Sequence, residues 1–74
     1  MAKFKVGDVV HLKSGGPKMT IESVYQSGET GSRLFAYSQL KMKYPQSDVF
    51  YACRWFNESR KLENSTFAEE VIES

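Results

Sequence analysis

The sequence predicts a small all-β domain whose strands close into a barrel. Two observations predict it: short segments of alternating apolar and polar residues recur along the chain, and residues typical of turns separate them. At 74 residues the chain forms one domain at most, and a hydrophobic content of 41% provides a core for it. Closing the sheet also removes exposed strand edges, which a β protein of this size must otherwise protect.

The first two strands are predicted on either side of a tight turn. Residues 4–12 alternate as in a half-buried strand with one interruption by glycine and aspartate. Residues 14–17 read Ser-Gly-Gly-Pro, and we expect Gly16 to adopt a backbone conformation that is costly for other residues. Alternation resumes over residues 18–25, where Val24 falls out of phase and indicates a bulge or the end of the strand.

Residues 26–48 are predicted to be an insertion between the second and third core strands. Residues 26–32 are rich in Gly, Ser and Thr and indicate a flexible loop. Alternation over residues 40–44 resembles a strand, and a short helix through residues 37–41 is the alternative. We expect extended structure over residues 33–44, because helical spacing matches poorly there.

The strongest strand signal covers residues 49–56. Val49, Tyr51, Cys53 and Trp55 fall on one face, and Phe50, Ala52, Arg54 and Phe56 fall on the other. Residues 57–59 are predicted to be a hairpin turn, after which residues 60–67 pair back as a weaker strand. Residues 67–72 fit one helical turn or a closing strand.

Together these elements favour a small SH3-like barrel of four to five antiparallel strands. The whole chain, residues 1–74, is then a single domain that carries the insertion of residues 26–48. Lengthening a surface connection costs little free energy, about 0.6 kcal/mol per doubling. We therefore expect the insertion to be dispensable for folding and needed for binding.

Five short segments resemble those of one known family. They are residues 4–10 (Phe-Lys-Val-Gly-Asp-Val-Val), 12–21 (Leu-Lys-Ser-Gly-Gly-Pro-Lys-Met-Thr-Ile), 53–56 (Cys-Arg-Trp-Phe), 61–62 (Lys-Leu) and 67–70 (Phe-Ala-Glu-Glu). The chain is thus similar to the YodC-like small uncharacterised bacterial proteins, and the likeness covers roughly two-thirds of it. The resemblance implies an SH3-like barrel and supplies no active site. Typical members are much shorter between residues 26 and 48.

Catalysis and metal binding find little support in the sequence. His11 is the only histidine and Cys53 the only cysteine. A Cys–His nucleophile pair needs hydrogen-bond contact and a third orienting group, whereas the alternation places Cys53 on the core face. One histidine and one cysteine also fall short of a tetrahedral zinc site. We therefore expect no enzyme, no cofactor and no bound metal, and we expect Cys53 to be buried and unreactive.

Aromatic and basic residues between positions 33 and 44 form the candidate partner-binding surface. No acid occurs between Glu29 and Asp48, so the three bases there give this stretch a charge of +3. Rings interleaved with cations suit a protein interface and equally suit single-stranded nucleic acid. The alternative is that the rings pack onto the barrel as extra core. The candidate residues are Arg33, Phe35, Tyr37, Lys41, Lys43 and Tyr44, with Phe56 from the third core strand.

The function expected from these features is that of a non-enzymatic binding module. A protein partner is favoured, a nucleic-acid- or ribosome-associated protein is the alternative, and a structural subunit of a homo-oligomer is a third possibility. No apolar run approaches the roughly 20 residues that span a bilayer. The amino terminus lacks the apolar stretch of a signal peptide, so we expect a cytoplasmic location and no membrane partner.

Overall fold

The computed structural model describes residues 3–74, and their strands form one antiparallel sheet of five strands. The strands are β1 (Val9–Leu12), β2 (Met19–Gln26), β3 (Val49–Phe56), β4 (Leu62–Ala68) and β5 (Ile72–Glu73). One helix, α1 (Gly31–Lys43), lies between β2 and β3, and a 3-10 turn, Glu69–Val71, precedes β5. The strand order β4-β3-β2-β1-β5 places the last strand beside the first. The predicted SH3-like all-β fold, with its insertion between the second and third strands, is confirmed.

The turn between β1 and β2 depends on glycine. Gly15 and Gly16 have φ values of +105° and +124°, a region that side chains with a Cβ atom rarely adopt. The prediction for Gly16 is therefore confirmed. Beyond this turn the two strands pair antiparallel, with Val10 opposite Met19.

A β-bulge in β2 explains why Val24 is out of phase. The register with β3 shifts between Ile21 and Ser23, so that Ile21 lies opposite Cys53 and Val24 lies opposite Tyr51. The extra residue lets Ile21 and Val24 both contact the core despite their odd spacing. The bulge, one of the two interpretations of the phase change at Val24, is thus present.

The core lies on one face of the sheet, and β3 contributes most to it. Its buried members are Val10, Met19, Ile21, Val49, Tyr51, Cys53 and Ile72. The predicted facing of β3 is confirmed at Cys53, which is buried, and at Trp55, which packs against this core. The Trp55 ring lies 6.3 Å from that of Phe67, between ring centres.

Residues 31–43 are helical, so the expectation of extended structure over residues 33–44 is wrong, and the short helix considered as the alternative is present. The reason lies on the outer face of β3. Phe50 points away from the core and yet is fully buried, because the rings of Tyr37 and Tyr44 lie 6.0 and 6.2 Å from its ring. Two residues seven apart lie on the same side of a helix, which places both tyrosines over Phe50.

The hairpin between β3 and β4 forms as predicted. The side-chain oxygen of Asn57 accepts hydrogen bonds from the backbone N–H groups of Ser59 and Lys61, and Arg60 has a φ of 62°. After β4 the chain makes both structures considered for residues 67–72, first the 3-10 turn and then β5. Strand β5 pairs with β1, with Leu12 opposite Ile72.

Hydrogen bonds to the side chain of Tyr51 hold the start of the described chain against the barrel. The backbone N–H groups of Lys3 and Phe4 donate to the hydroxyl of Tyr51 at 3.0 and 3.2 Å. That hydroxyl donates in turn to Oε2 of Glu69 at 2.5 Å. Burial, together with the hydrogen bond to Glu69, raises the pKa of Tyr51 to about 12.

Candidate functional site

Arg33 fixes the first half of α1 to the barrel. Its Nη2 lies 2.8 Å from Oε2 of Glu29, and its Nη1 donates to Oγ of Ser23 at 2.9 Å. A further bond from Nη2 reaches the carbonyl of Val24, and the guanidinium carbon lies 4.8 Å from the ring centre of Tyr25. These contacts commit Arg33 to holding the helix on β2, and its charge is compensated by Glu29.

Lys41 fixes the second half of α1 to the segment that follows the helix. Its Nζ donates to the carbonyl of Ser47 at 2.9 Å and to Oδ1 of Asp48 at 2.7 Å. The hydrogen bond to Lys41 lowers the pKa of the Asp48 carboxyl, and the same bond raises the pKa of Lys41. Ser47 is buried and donates from Oγ to Glu70, so this connection ties the end of α1 to the 3-10 turn.

The two candidate tyrosines face the sheet. Tyr37 is half-buried on Phe50, and Tyr44 covers the same ring while keeping 39% of its surface exposed. Lys43 lies over the outer side of Tyr44, with Nζ 5.5 Å from the ring centre. Of the candidates on the insertion, Arg33, Tyr37, Lys41 and Tyr44 therefore hold the helix in place, whereas Phe35 and Lys43 are turned to solvent.

The solvent side of α1 carries a stripe of large apolar residues, which we call the α1 outer face: Leu34, Phe35 and Met42. Phe35 is 68% exposed, Met42 79% and Leu34 46%. Phe35 and Met42 are seven residues apart, about 10 Å along the helix axis, and the exposed Ser38 lies between them. Leu34 and Met42 were not among the candidate site residues. A helical period over residues 34–42 is the signal that would have found them.

Phe56 belongs to a second surface at the other end of β3. It follows Phe50 by six residues on the same face, which corresponds to about 20 Å along a strand. It is 67% exposed and lies opposite Leu62 on β4. The structure therefore does not bring Phe56 together with the candidates on α1.

Two shallow depressions flank Phe56 and share the edge of Trp55. One, of about 530 Å³, is lined by Gly16, Pro17, Trp55, Phe56, Asn57 and Glu58. The other, of about 300 Å³, is lined by Lys18, Thr20, Arg54, Trp55, Phe56 and Leu62. We call the two together the Phe56 groove.

The residues considered for catalysis lie in unsuitable surroundings. Cys53 is fully buried, and burial raises the pKa of its thiol to about 11, so the nucleophilic thiolate is scarce at neutral pH. His11 is half-buried on β1 and lies opposite Glu73 of β5. Within residues 3–74, no cluster of three or more His, Cys, Asp or Glu side chains has the placement to hold a metal ion. The same residues contain no helix long and apolar enough to cross a membrane.

Fold and surface together define a small five-stranded β barrel whose β2–β3 connection presents a helix with an exposed apolar side. The chain belongs to the family of uncharacterized small proteins DUF2158, whose model matches residues 5–72. No curated protein and no solved structure matches the chain. Because the family description states no activity, function is argued from the surface of this chain.

Proposed function

We propose that this protein is a non-enzymatic binding module that engages a protein partner through the α1 outer face. The observation that carries the proposal is the exposure of Leu34, Phe35 and Met42 on one side of the same helix. On its opposite side the same helix packs on Phe50 through the half-buried Tyr37, so its contact with the barrel does not use the large apolar residues that face water. Large apolar residues exposed at this spacing on one side of a helix are typical of helices that dock into a groove of another protein.

The charge of α1 supports a protein partner at this face. The charge of +3 between Glu29 and Asp48 is compatible with phosphate binding, but Glu29 compensates the charge of Arg33 and Asp48 compensates that of Lys41. Two of the three cations are thus paired within the molecule, and the outward residues are apolar. Phosphate contacts need available cations, whereas an apolar groove on a protein accepts a helix through anchors spaced like Phe35 and Met42.

A second copy of this chain fits the same face less well. A helix of 13 residues is about 20 Å long and about 10 Å wide, so two such helices cover roughly 200 Å² each. Stable interfaces bury about 800 Å² per partner. A partner that contacts the exposed side of α1 and the barrel surface beside it comes closer to that area than a second helix does, which supports a different protein as the partner.

The proposal includes the resemblance drawn from the sequence. It takes the chain as a YodC-like bacterial protein that works in the cytoplasm, supported by the Leu-Lys-Ser-Gly-Gly-Pro-Lys-Met-Thr segment at residues 12–20. A non-enzymatic role is supported by the burial of Cys53 and by its raised pKa, which leave the single thiol without nucleophilic character.

A pair of matched variants tests the proposal. Phe35→Ser and Phe56→Ser remove the same side chain at almost equal exposure, 68% and 67%, from the α1 outer face and from the end of β3. Immobilised protein is incubated with lysate of the source cells, and any captured protein is then purified and titrated against each variant. We expect Phe35→Ser to abolish binding, and Phe56→Ser and added salt to leave it nearly unchanged.

Two results would contradict this assignment. Equal loss of binding in both variants, or in neither, would place the interface away from α1. Sedimentation of the pure protein as a dimer that Phe35→Ser dissociates would assign the α1 outer face to a second copy of the chain instead.

A further inference from the structure

The Phe56 groove combines an exposed ring with cations on the outer face of the sheet, well apart from α1. The smaller of its two depressions is lined by Lys18 and Arg54 without an acid, whereas Glu58 lines the larger one. Thr20 contributes a hydroxyl to the same wall. A cationic wall beside an exposed aromatic ring is complementary to a ligand that carries both negative charge and flat rings.

We propose that the Phe56 groove binds single-stranded nucleic acid, with a base stacked on Phe56 and the phosphate backbone beside Lys18 and Arg54. The inference does not depend on the α1 outer face. It assigns a second surface and a second class of ligand to the molecule.

Phe56 is placed for stacking by the strands around it. It stands on the outer face at the end of β3, where Leu62 of β4 lies directly opposite in the strand register. At 67% exposure most of the ring is in contact with solvent. Since Phe56 lines both depressions, a base has room to lie against its ring.

Lys18 has no ion pair within residues 3–74, and Arg54 keeps N–H donors for a phosphate. Arg54 pairs with Glu22 through one nitrogen, Nη2, at 2.6 Å, and its side chain stays 51% exposed. Glu22 thus compensates the charge of Arg54 as Glu29 compensates that of Arg33. Unlike Arg33, Arg54 makes no further side-chain hydrogen bond within residues 3–74, so the other N–H donors of its guanidinium can still meet a phosphate. Lys18 is exposed in the loop that leads into β2 and reaches the same depression.

An acidic peptide fits the groove less well than a nucleic acid does. It would satisfy Lys18 and Arg54, but carboxylate side chains have no ring to cover Phe56. A base covers the ring and its phosphate meets the cations at the same time. The combination therefore favours nucleic acid.

Fluorescence anisotropy with labelled oligothymidylate and oligouridylate of about eight nucleotides tests the proposal. We expect Phe56→Ala to weaken binding by roughly tenfold, as the loss of one stacked base does. Lys18→Gln should weaken binding and flatten its salt dependence. With two phosphate contacts, affinity of the wild type should fall about sevenfold between 50 and 200 mM salt.

Matched variants on α1 serve as controls. Phe35→Ala removes an equally exposed ring and Lys43→Gln an exposed lysine, and both should leave oligonucleotide affinity unchanged. Circular dichroism spectra and thermal melts establish that each variant is folded.

Several outcomes would overturn the proposal. One is no binding of either oligonucleotide at about 1 mM protein, above the usual range of non-specific affinities of about 10⁻⁴–10⁻⁶ M. Another is equal weakening by Phe35→Ala and Phe56→Ala. Equal affinity for a duplex of the same length would show charge attraction without stacking, and equal affinity for poly-glutamate would assign the groove to an acidic protein.

Discussion

Phe50 is kept out of water by α1, and a double-mutant cycle measures how much stability that provides. In the full-length chain, Phe50→Ala removes a fully buried ring together with its contacts to Tyr37 and Tyr44. Such substitutions cost about 3–5 kcal/mol. The whole chain, at roughly 0.05–0.15 kcal/mol for each of its 74 residues, has a stability of about 4–11 kcal/mol. The substitution therefore removes a large part of the free energy of unfolding.

The second change replaces residues 27–48 with Asn-Gly. Gln26 and Val49 are opposite each other in the β2–β3 register, so a two-residue turn joins them without a change of pairing. Without α1, the ring of Phe50 lies in water. We expect Phe50→Ala to cost less than about 1 kcal/mol in this shortened chain. The coupling between the two changes is then about 2–4 kcal/mol.

The cycle isolates the contact between helix and strand. A shorter connection returns about 0.6 kcal/mol for each halving of its length, but that amount is the same with Phe50 or alanine and cancels. Urea unfolding followed by the fluorescence of Trp55, the single tryptophan, gives all four stabilities. An osmolyte such as trimethylamine N-oxide extends the range for the least stable variant.

Phe35→Ala is the control for the cycle, because Phe35 lies on the solvent side of α1 and should change stability by no more than about 0.5 kcal/mol. If Phe50→Ala costs as much in the shortened chain as in the full-length chain, the barrel itself buries Phe50 and the reasoning fails. The result also bears on whether residues 26–48 are dispensable for folding. We now expect the barrel without them to be less stable than the full-length chain, because Phe50 loses the cover of Tyr37 and Tyr44, and Phe50→Ala does not restore that stability.

Three further predictions concern the barrel. With a thiol pKa of about 11 instead of 9.0, Cys53 carries about fiftyfold less thiolate at pH 9 in the folded chain than in the unfolded chain. A thiol reagent should therefore label the native protein at least fiftyfold more slowly, and equal labelling rates would contradict the burial of Cys53. Gly16→Val should lower the free energy of unfolding by about 1 kcal/mol or more, because φ at this position is +124°. Ser14→Val, at a position without a positive φ, should lower it less. Equal melting temperatures of Gly16→Val and the wild type would contradict this prediction. Because the pKa values of Cys53 and Tyr51 are raised to about 11 and about 12, the unfolded chain loses these two protons at a lower pH than the folded chain does. The free energy of unfolding should therefore be constant up to about pH 9 and fall between about pH 9 and 12. Tyr51→Phe should flatten that decline above pH 10, and an unchanged slope would contradict the assignment.

The strands could be predicted from the sequence because their pattern is local. The bounds of β3 follow from eight alternating apolar and β-prone residues, and the phase change at Val24 marks the bulge. The helix could not be predicted in this way. Leu40, Met42 and Tyr44 alternate as strand residues do, and what favours the helix is Phe50, a residue on another element that needs cover.

The grouping of the site residues could not be predicted either, because it depends on the helix. Phe35 was identified from its residue type, but a strand interpretation gives no reason to group it with Leu34 and Met42. The pairing of Arg33 with Glu29 follows from their four-residue spacing only once the segment is a helix. The bond between Lys41 and Asp48 depends on how the chain turns after α1, which residue type alone does not specify.

Site-specific photo-crosslinking in cells tests the central claim, that the α1 outer face binds a protein, most directly. A photoreactive amino acid replaces Ser38, which is exposed between Phe35 and Met42, or Ser59, which is exposed in the β3–β4 hairpin. Both sites lose a serine and keep every apolar residue of the face. We expect a protein adduct from position 38 that disappears when Phe35→Ser is added, and no such protein adduct from position 59. The same protein adducts from both positions, or an adduct at position 38 that survives Phe35→Ser, would contradict the claim.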